Sequence, residues 1–203
     1  RNGRYAFGNQ STIAHWNLSV FASTLLPLIS DTKEKAIQLA EDILNTFPEE
    51  YSKKCYQMMF KKMGITKPLK EDKVLVDTLL KLMEEHKADY TNTFAALSLN
   101  KTYENSLFTS NLFNDWRKKW KNRTNHTDKQ IEILKLMQAQ NPLFIPRNHL
   151  VESALEDAIQ GNKSKFNELL NFISKPYDYK PNHNNFQTIP SGFDDNYKTF
   201  CGT

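Results

Sequence analysis

The chain has 203 residues, of which 39% are hydrophobic and 25% charged, and its formal net charge is +4. This composition excludes an intrinsically disordered chain, and the nearly balanced charges argue against a dedicated nucleic-acid binder. Because the two cysteines, Cys55 and Cys201, lie far apart without metal-ligand spacing, a reducing cytoplasm is the expected location.

The first predicted element lies in an uncharged stretch over 5–30. Its apolar residues recur at spacings of three and four, which predicts a helix over about 12–29. The stretch is long enough to cross a bilayer, but it contains polar side chains such as Asn9, His15 and Asn17. A hydrocarbon core would leave these side chains without hydrogen-bond partners, so we expect a buried helix and no membrane partner.

Helical periodicity continues to about residue 174, and no convincing strand period appears, so the predicted fold class is all-α. Capping residues, prolines and glycines set the expected limits. The predicted helices follow a cap at Asp31 and end at Pro48, run over about 51–63, closed by Gly64, and begin at Pro68. Further helices lie near 89–99 and 107–122, between a cap at Thr127 and Pro142, over about 150–159, ended by Gly161, and over 166–173, ended by Pro176.

From residue 176 onward the sequence loses its period and carries isolated aromatic residues. A wholly disordered tail would contain fewer of them. The sequence therefore predicts a helical domain over 1–175 and an extended arm over 176–203. The arm is expected to anchor itself through Tyr177, Tyr179, Phe186, Phe193, Tyr197 and Phe200.

The residues alone predict no catalytic, cofactor-binding or metal site. There is no glycine-rich phosphate loop, nucleophile elbow, zinc motif or calcium loop. His149 and Glu152 lie one helical turn apart, but two ligands do not make a metal site. The segment over 116–123 interleaves Trp116 and Trp120 with cations, as a nucleic-acid surface might. We favour two buried indoles beneath a solvated basic face, and expect no nucleic-acid partner.

The N-terminal residues Gly3, Arg4, Tyr5, Asn9 and Gln10, followed by Trp16-Asn17-Leu18, resemble the selenoprotein O (YdiU) family. Ser11 stands where that family usually has proline. Further similarities keep the same order along the chain: Met63-Gly64, Asp89-Tyr90-Thr91, Leu97-Ser98, Asn141-Pro142, Pro146-Arg147-Asn148, Gly161-Asn162, Pro176-Tyr177-Asp178 and a cysteine near the C-terminus, Cys201.

The resemblance implies a kinase-like fold that transfers AMP from ATP to protein hydroxyl groups with Mg or Mn. It also implies that the chain is the C-terminal part of such a protein. Its partners would be the missing N-terminal catalytic half and the protein substrates of the parent. Because the family's nucleotide- and metal-binding residues precede Gly3, this chain alone is expected to bind no cofactor and to be inactive.

Structural expectations also follow from the resemblance. Residues 1–11, with Gly3, Arg4, Tyr5, Asn9 and Gln10, would end the activation segment. The helix over about 12–29 would be the buried central helix of a kinase C-lobe, followed by C-terminal helices and the aromatic arm.

Cys201 matches the terminal redox position of the family, although a chance terminal cysteine is the alternative. Cys55 lies within a helical apolar pattern and is expected to be an inert core residue. A second functional hypothesis is a stand-alone helical protein-interaction module, which would use the surface over 116–123 or the arm.

Overall fold

The computed structural model describes residues 6–124, 126–179, 186–190 and 192–193. Within these residues the chain contains ten α-helices, a short 3-10 helix over Phe7–Asn9 and no strand, which confirms the all-α class. The helices are α1 (Gln10–Ile29), α2 (Lys33–Leu44), α3 (Phe47–Lys62), α4 (Asp72–Glu85), α5 (Tyr90–Leu99), α6 (Ser106–Thr109), α7 (Asn111–Arg123), α8 (His126–Gln138), α9 (Asn148–Ile159) and α10 (Ser164–Ile173).

The chain forms two compact units, one up to Met59 and the other from Phe60 onward. In the first unit α2 packs against α1. A ring nitrogen of His15 lies 3.1 Å from the carbonyl oxygen of Leu44, and the His15 ring stacks on Phe47 at 5.4 Å. His15 is therefore a half-buried residue that connects α1 to the end of α2 and the start of α3. The division of the chain into a helical domain over 1–175 and an arm over 176–203 stays a prediction.

The predicted N-terminal helix is present as α1, but no residue of α1 is buried within this chain. Trp16 is 57% exposed and Phe21 59% exposed. The reason is that α1 carries apolar residues around most of its circumference, whereas α2 can cover only one side. By length and composition α1 could cross a bilayer. Its burial in a longer protein stays a prediction.

Two predicted helix limits are wrong. Phe47 begins α3 rather than ending α2, because Pro48 is tolerated in a first helical turn, where its missing N–H needs no partner. The helix expected over 107–122 is divided into α6 and α7 by Ser110, whose backbone is extended with φ −67° and ψ 131°. A serine at this position favours a helix start over a helix interior.

The core of the second unit includes a stack of three aromatic rings on α7. Phe113 and Trp116 lie 5.4 Å apart between ring centroids, and Trp116 and Trp120 lie 5.7 Å apart. All three side chains are buried. The indole N–H groups donate to the carbonyl oxygens of Leu75 and Met63, at 2.9 and 2.8 Å. The predicted pair of buried indoles is confirmed, so these rings offer no surface to a partner.

Candidate functional site

The residues predicted to end the activation segment are only partly described. Gly3, Arg4 and Tyr5 lie outside the described residues. Asn9 and Gln10 lie at the start of α1, where the Asn9 backbone N–H donates to Ala6 O at 2.9 Å. Asn9 also lines a groove of about 360 Å³ together with Thr12, Ile13 and Trp16. Their position in an activation segment stays a prediction.

The two cysteines have different outcomes. Cys201 lies outside the described residues, so its redox role stays a prediction. Cys55 lies on α3 and is exposed, so its assignment to the core is wrong. The flanking Lys53 and Lys54 place this part of α3 toward solvent, which the apolar spacing of the segment alone does not reveal.

A bidentate ion pair joins two of the sequence segments that carry the family resemblance. Arg147 Nη1 and Nη2 donate to the two carboxylate oxygens of Asp89 at 2.6 and 2.9 Å, across 58 residues of sequence. Arg147 is only 8% exposed. Its Nη2 also donates to Asn92 Oδ1 at 3.1 Å. Asp89 is the N-cap of α5 and accepts from the Asn92 backbone N–H at 2.7 Å. The pair therefore fixes the start of α5 to the segment before α9.

Asn141 makes the second connection between distant segments. Its Nδ2 donates to Lys62 O and to Ser98 Oγ, both at 2.8 Å. Its backbone oxygen accepts from the Tyr179 hydroxyl at 2.8 Å. Because Asn141 is 0% exposed, these bonds are made in the interior, where unpaired polar groups are costly. Asn141 thus ties the end of α3 to the end of α5 through its amide side chain, and holds the arm through its backbone oxygen.

The described part of the arm docks on the helices. Leu143 N–H donates to Pro176 O at 2.6 Å. The ring of Phe186 lies 4.1 Å from that of Phe172. Both pack against the buried cluster of Ala95, Leu143 and Phe144. The expectation that Tyr179 and Phe186 anchor the arm agrees with these contacts, whereas Tyr177 is 53% exposed and Tyr197 and Phe200 lie outside the described residues.

Beside this arm lies an open groove of about 580 Å³. Gln187 forms part of its wall, because Gln187 O accepts from Asn92 Nδ2 at 2.9 Å and Gln187 Oε1 accepts from the Tyr103 hydroxyl at 3.2 Å. Burial, together with the nearby charge of Asp89, raises the pKa of Tyr103. Burial and the Asp89 charge thus favour the neutral hydroxyl of Tyr103, which donates to Gln187 in the wall of the groove.

The described residues form no recognisable catalytic constellation. No group of three or more His, Cys, Asp or Glu side chains within them could hold a metal ion, and this includes His149 and Glu152. His86 Nδ1 lies 2.9 Å from Ser106 Oγ in an exposed position. A catalytic Ser–His pair needs a third group that orients the imidazole, and none of the described residues has that position.

Sequence reasoning missed the way in which the similar segments meet. Asp89 and Arg147 lie in separate segments of the sequence, as do Ser98 and Asn141, and no spacing rule pairs residues across such distances. The available signal was chemical: an acidic N-cap and an isolated arginine between a proline and an asparagine need partners when buried. Gln187 carried no comparable signal, because it lies in an aperiodic segment.

Known proteins match this chain along nearly its whole length. A family model described as "Protein adenylyltransferase SelO" matches residues 1–174. A "Protein nucleotidyltransferase YdiU" of Clostridium beijerinckii is 40% identical over 204 residues, which cover 100% of this chain and 42% of the relative. Proteins of the same name from Brevibacillus brevis and Geobacillus kaustophilus are 42% and 41% identical, over 99% of this chain and 41% and 42% of their own lengths. The chain therefore spans about two fifths of the relatives that it matches.

Proposed function

The chain belongs to the protein adenylyltransferase SelO family, and on that premise we propose that it is the C-terminal helical part of an enzyme that transfers AMP from ATP to hydroxyl groups of proteins. One observation carries the proposal. The similarity extends over 99–100% of this chain but covers only 41–42% of relatives named as protein nucleotidyltransferases. The proposed location of the enzyme is the cytoplasm.

We assign this part of the enzyme a supporting role. ATP and Mg or Mn would be held by the remainder of the parent, and no step of the transfer is assigned to a residue of this chain. The bonds of Arg147 and Asn141 suit such a role, because they fix helix ends and the arm through buried charged and polar contacts.

We further propose that α1 is the central helix of a kinase-like C-lobe and that the catalytic half covers it in the parent. The exposed apolar side chains of α1 support this, because a surface helix of a protein normally has a polar side. Ser23 and Thr24 donate to carbonyl oxygens of their own helix, at 2.6 and 2.7 Å. Such internally bonded hydroxyls suit contact with protein.

Cys201 is proposed as an exchangeable thiol that the docked arm carries. The resemblance of this terminal cysteine to the redox position of the family supports the proposal. Its redox partner would belong to the catalytic half.

Transfer of labelled AMP to protein tests the main proposal. The full-length parent should label protein in the presence of ATP with Mg or Mn, and this chain alone should not. If the chain alone transfers AMP or binds ATP tightly in a metal-dependent manner, the supporting role is wrong. If the full-length parent is folded, binds ATP and transfers nothing to protein, the proposed reaction is wrong.

Fluorescence quenching tests the proposed position of α1, since the chain has 3 tryptophans. In this chain acrylamide should quench Trp16 readily and leave Trp116 and Trp120 protected. A Trp16→Phe variant should lose the quenchable fraction. In the full-length parent the residue corresponding to Trp16 should be protected, and equal quenching in the chain and the parent would contradict a covered α1.

A further inference from the structure

The cations of α7 differ sharply in whether a carboxylate neutralises them. Lys118 lies 3.2 Å from Asp115, and Arg123 is paired with Asp72 at 2.7 Å. The structure gives Arg117 and Lys121 no carboxylate partner within the described residues. These two residues lie four positions apart, which places like charges side by side on a helix.

The surroundings of Arg117 and Lys121 make this arrangement costly. Burial lowers the pKa of Arg117, and both burial and the charge of Arg117 lower the pKa of Lys121. Arg117 Nη2 donates to Asn100 Oδ1 at 3.0 Å, which is a neutral acceptor. Arg117 Nε is buried without any acceptor. The two neighbouring charges lack a carboxylate, and an anion beside them would supply the counter-charge.

The space beside these side chains can receive such a partner. A surface cavity of about 660 Å³ is lined by Arg117, Lys118 and Lys121 together with Asn111, Asn114 and Asp115. The amide groups of Asn111 and Asn114 add neutral donors. Asp115 is the one carboxylate of the lining, and it is paired with Lys118 at 3.2 Å.

We propose that the cavity beside Arg117 and Lys121 binds a compact oxyanion, of which a phosphate group is the best match. A guanidinium and an ammonium group on adjacent turns, with amide donors beside them, are a typical set of donors for phosphate oxygens. An anion there would neutralise the like-charge pair. The site is independent of the proposed adenylyltransferase function.

A nucleic-acid backbone is the less suitable ligand. It needs several available cations in a row, whereas Lys118 and Arg123 are already paired with carboxylates. Lys119 lies on another side of α7, where it lines the groove between α4 and α7. Two available cations suit one phosphate group.

The test is a titration of the 203-residue chain with inorganic phosphate and with pyrophosphate at low ionic strength, followed by NMR of the backbone amides and the Arg117 Nε–H. We expect saturable shifts centred on 114–121. Lys121→Gln should weaken pyrophosphate binding by about fivefold or more. Lys119→Gln is the matched control, because it removes the same charge from the same helix but outside the cavity, and it should change affinity less than twofold.

Thermal unfolding gives a second measurement. Pyrophosphate should raise the Tm of the wild-type chain more than that of the Lys121→Gln variant, whose own Tm should not fall. Non-saturable shifts, or equal weakening by Lys119→Gln and Lys121→Gln, would overturn the proposal. The last part of the test uses a single-stranded oligonucleotide. Tighter binding of the oligonucleotide, with shifts spread over 117–123 and a steep salt dependence, would replace the compact site by a nucleic-acid surface.

Discussion

Asp72 and Arg123 form an ion pair in which both carboxylate oxygens are used. Arg123 Nε and Nη2 each donate to one oxygen at 2.7 Å, and the Leu69 backbone N–H donates to Oδ2 at the same distance. The Asp72 side chain is only 1% exposed and that of Arg123 29% exposed. The start of α4 is thereby fixed to the end of α7.

Removal of the Asp72 charge should therefore be strongly destabilising. In Asp72→Asn the guanidinium of Arg123 loses its counter-charge in a largely desolvated place, and the free energy of unfolding should fall by about 3 kcal/mol. Asp115→Asn is the matched control, because the Lys118–Asp115 pair is exposed, and it should cost less than about 1 kcal/mol. Urea denaturation measures the free energy of unfolding of both variants. Equal losses in the two variants would contradict a larger contribution of the buried ion pair.

Replacement of Asn141 tests the second buried connection. Asn141→Leu has a similar volume but leaves Lys62 O and Ser98 Oγ without their donor, so stability should fall by about 2–3 kcal/mol. Tyr179→Phe removes only the bond to the Asn141 backbone oxygen, and should cost about 1 kcal/mol. If urea denaturation shows Tyr179→Phe to be the more damaging change, the side chain of Asn141 is not the main connection.

Lys62 should make stability depend on pH. Its Nζ lies 4.9 Å from the centroid of Phe94 and 5.4 Å from that of Tyr90, and burial lowers its pKa from 10.5 to about 8. Folding then opposes the charged form. The free-energy cost of burying the charged Lys62 side chain is complete below pH 8. It declines as the pH rises from about 8 to 10.5, because Lys62 loses its proton in the folded state before it does so in the unfolded state.

Lys62→Met removes this ionisation while filling a similar space. The variant should be more stable than the wild type at pH 7, and the difference should shrink between pH 8 and pH 10. Urea midpoints at several pH values measure it. A difference that grows with pH would mean that the ammonium group stabilises the fold through the two rings.

Two glycines allow the cost of backbone strain to be compared with the cost of a steric clash. Gly64 has φ +71° and Gly161 φ +86°, so alanine is strained at both. A Cβ at Gly64 would lie 2.7 Å from Ile133 Cγ2, whereas one at Gly161 meets nothing within 4 Å. Gly161→Ala should cost about 1 kcal/mol and Gly64→Ala about 3 kcal/mol. Similar losses in thermal unfolding would show that α8 moves away from the added methyl group.

Cys55 should react with thiol reagents in the folded chain, because it is exposed on α3. In a Cys201→Ser background, Ellman's reagent should modify one thiol without denaturant, and Cys55→Ser in the same background should abolish the reaction. Modification that requires denaturant would show that Cys55 is buried in the folded chain.

The helical class and most helix limits were predictable because periodicity, prolines and glycines act locally. The burial of Trp116 and Trp120 was predictable for the same reason, since their spacing places both rings on one side of α7. The family resemblance added a chain-long assignment that periodicity cannot give.

Longer-range features were not predictable from the sequence. The spacing of α1 predicts a buried helix, but its side chains are exposed within this chain, because burial depends on which elements pack against a helix. The pairing of Arg147 with Asp89 depends on the path of the chain between them. The exposure of Cys55 depends on which side of α3 faces solvent.

The docking of the arm also bears on where the chain can be shortened. The family match ends at residue 174, just after α10. A chain cut there would lose the acceptor at Pro176, the hydroxyl of Tyr179 and the ring of Phe186. Leu143 N–H and the carbonyl of Asn141 would lose their partners, and one side of Phe172 would face water. The end of the family match is thus not a suitable place to shorten the chain, and expression designs should retain the residues through Gln187.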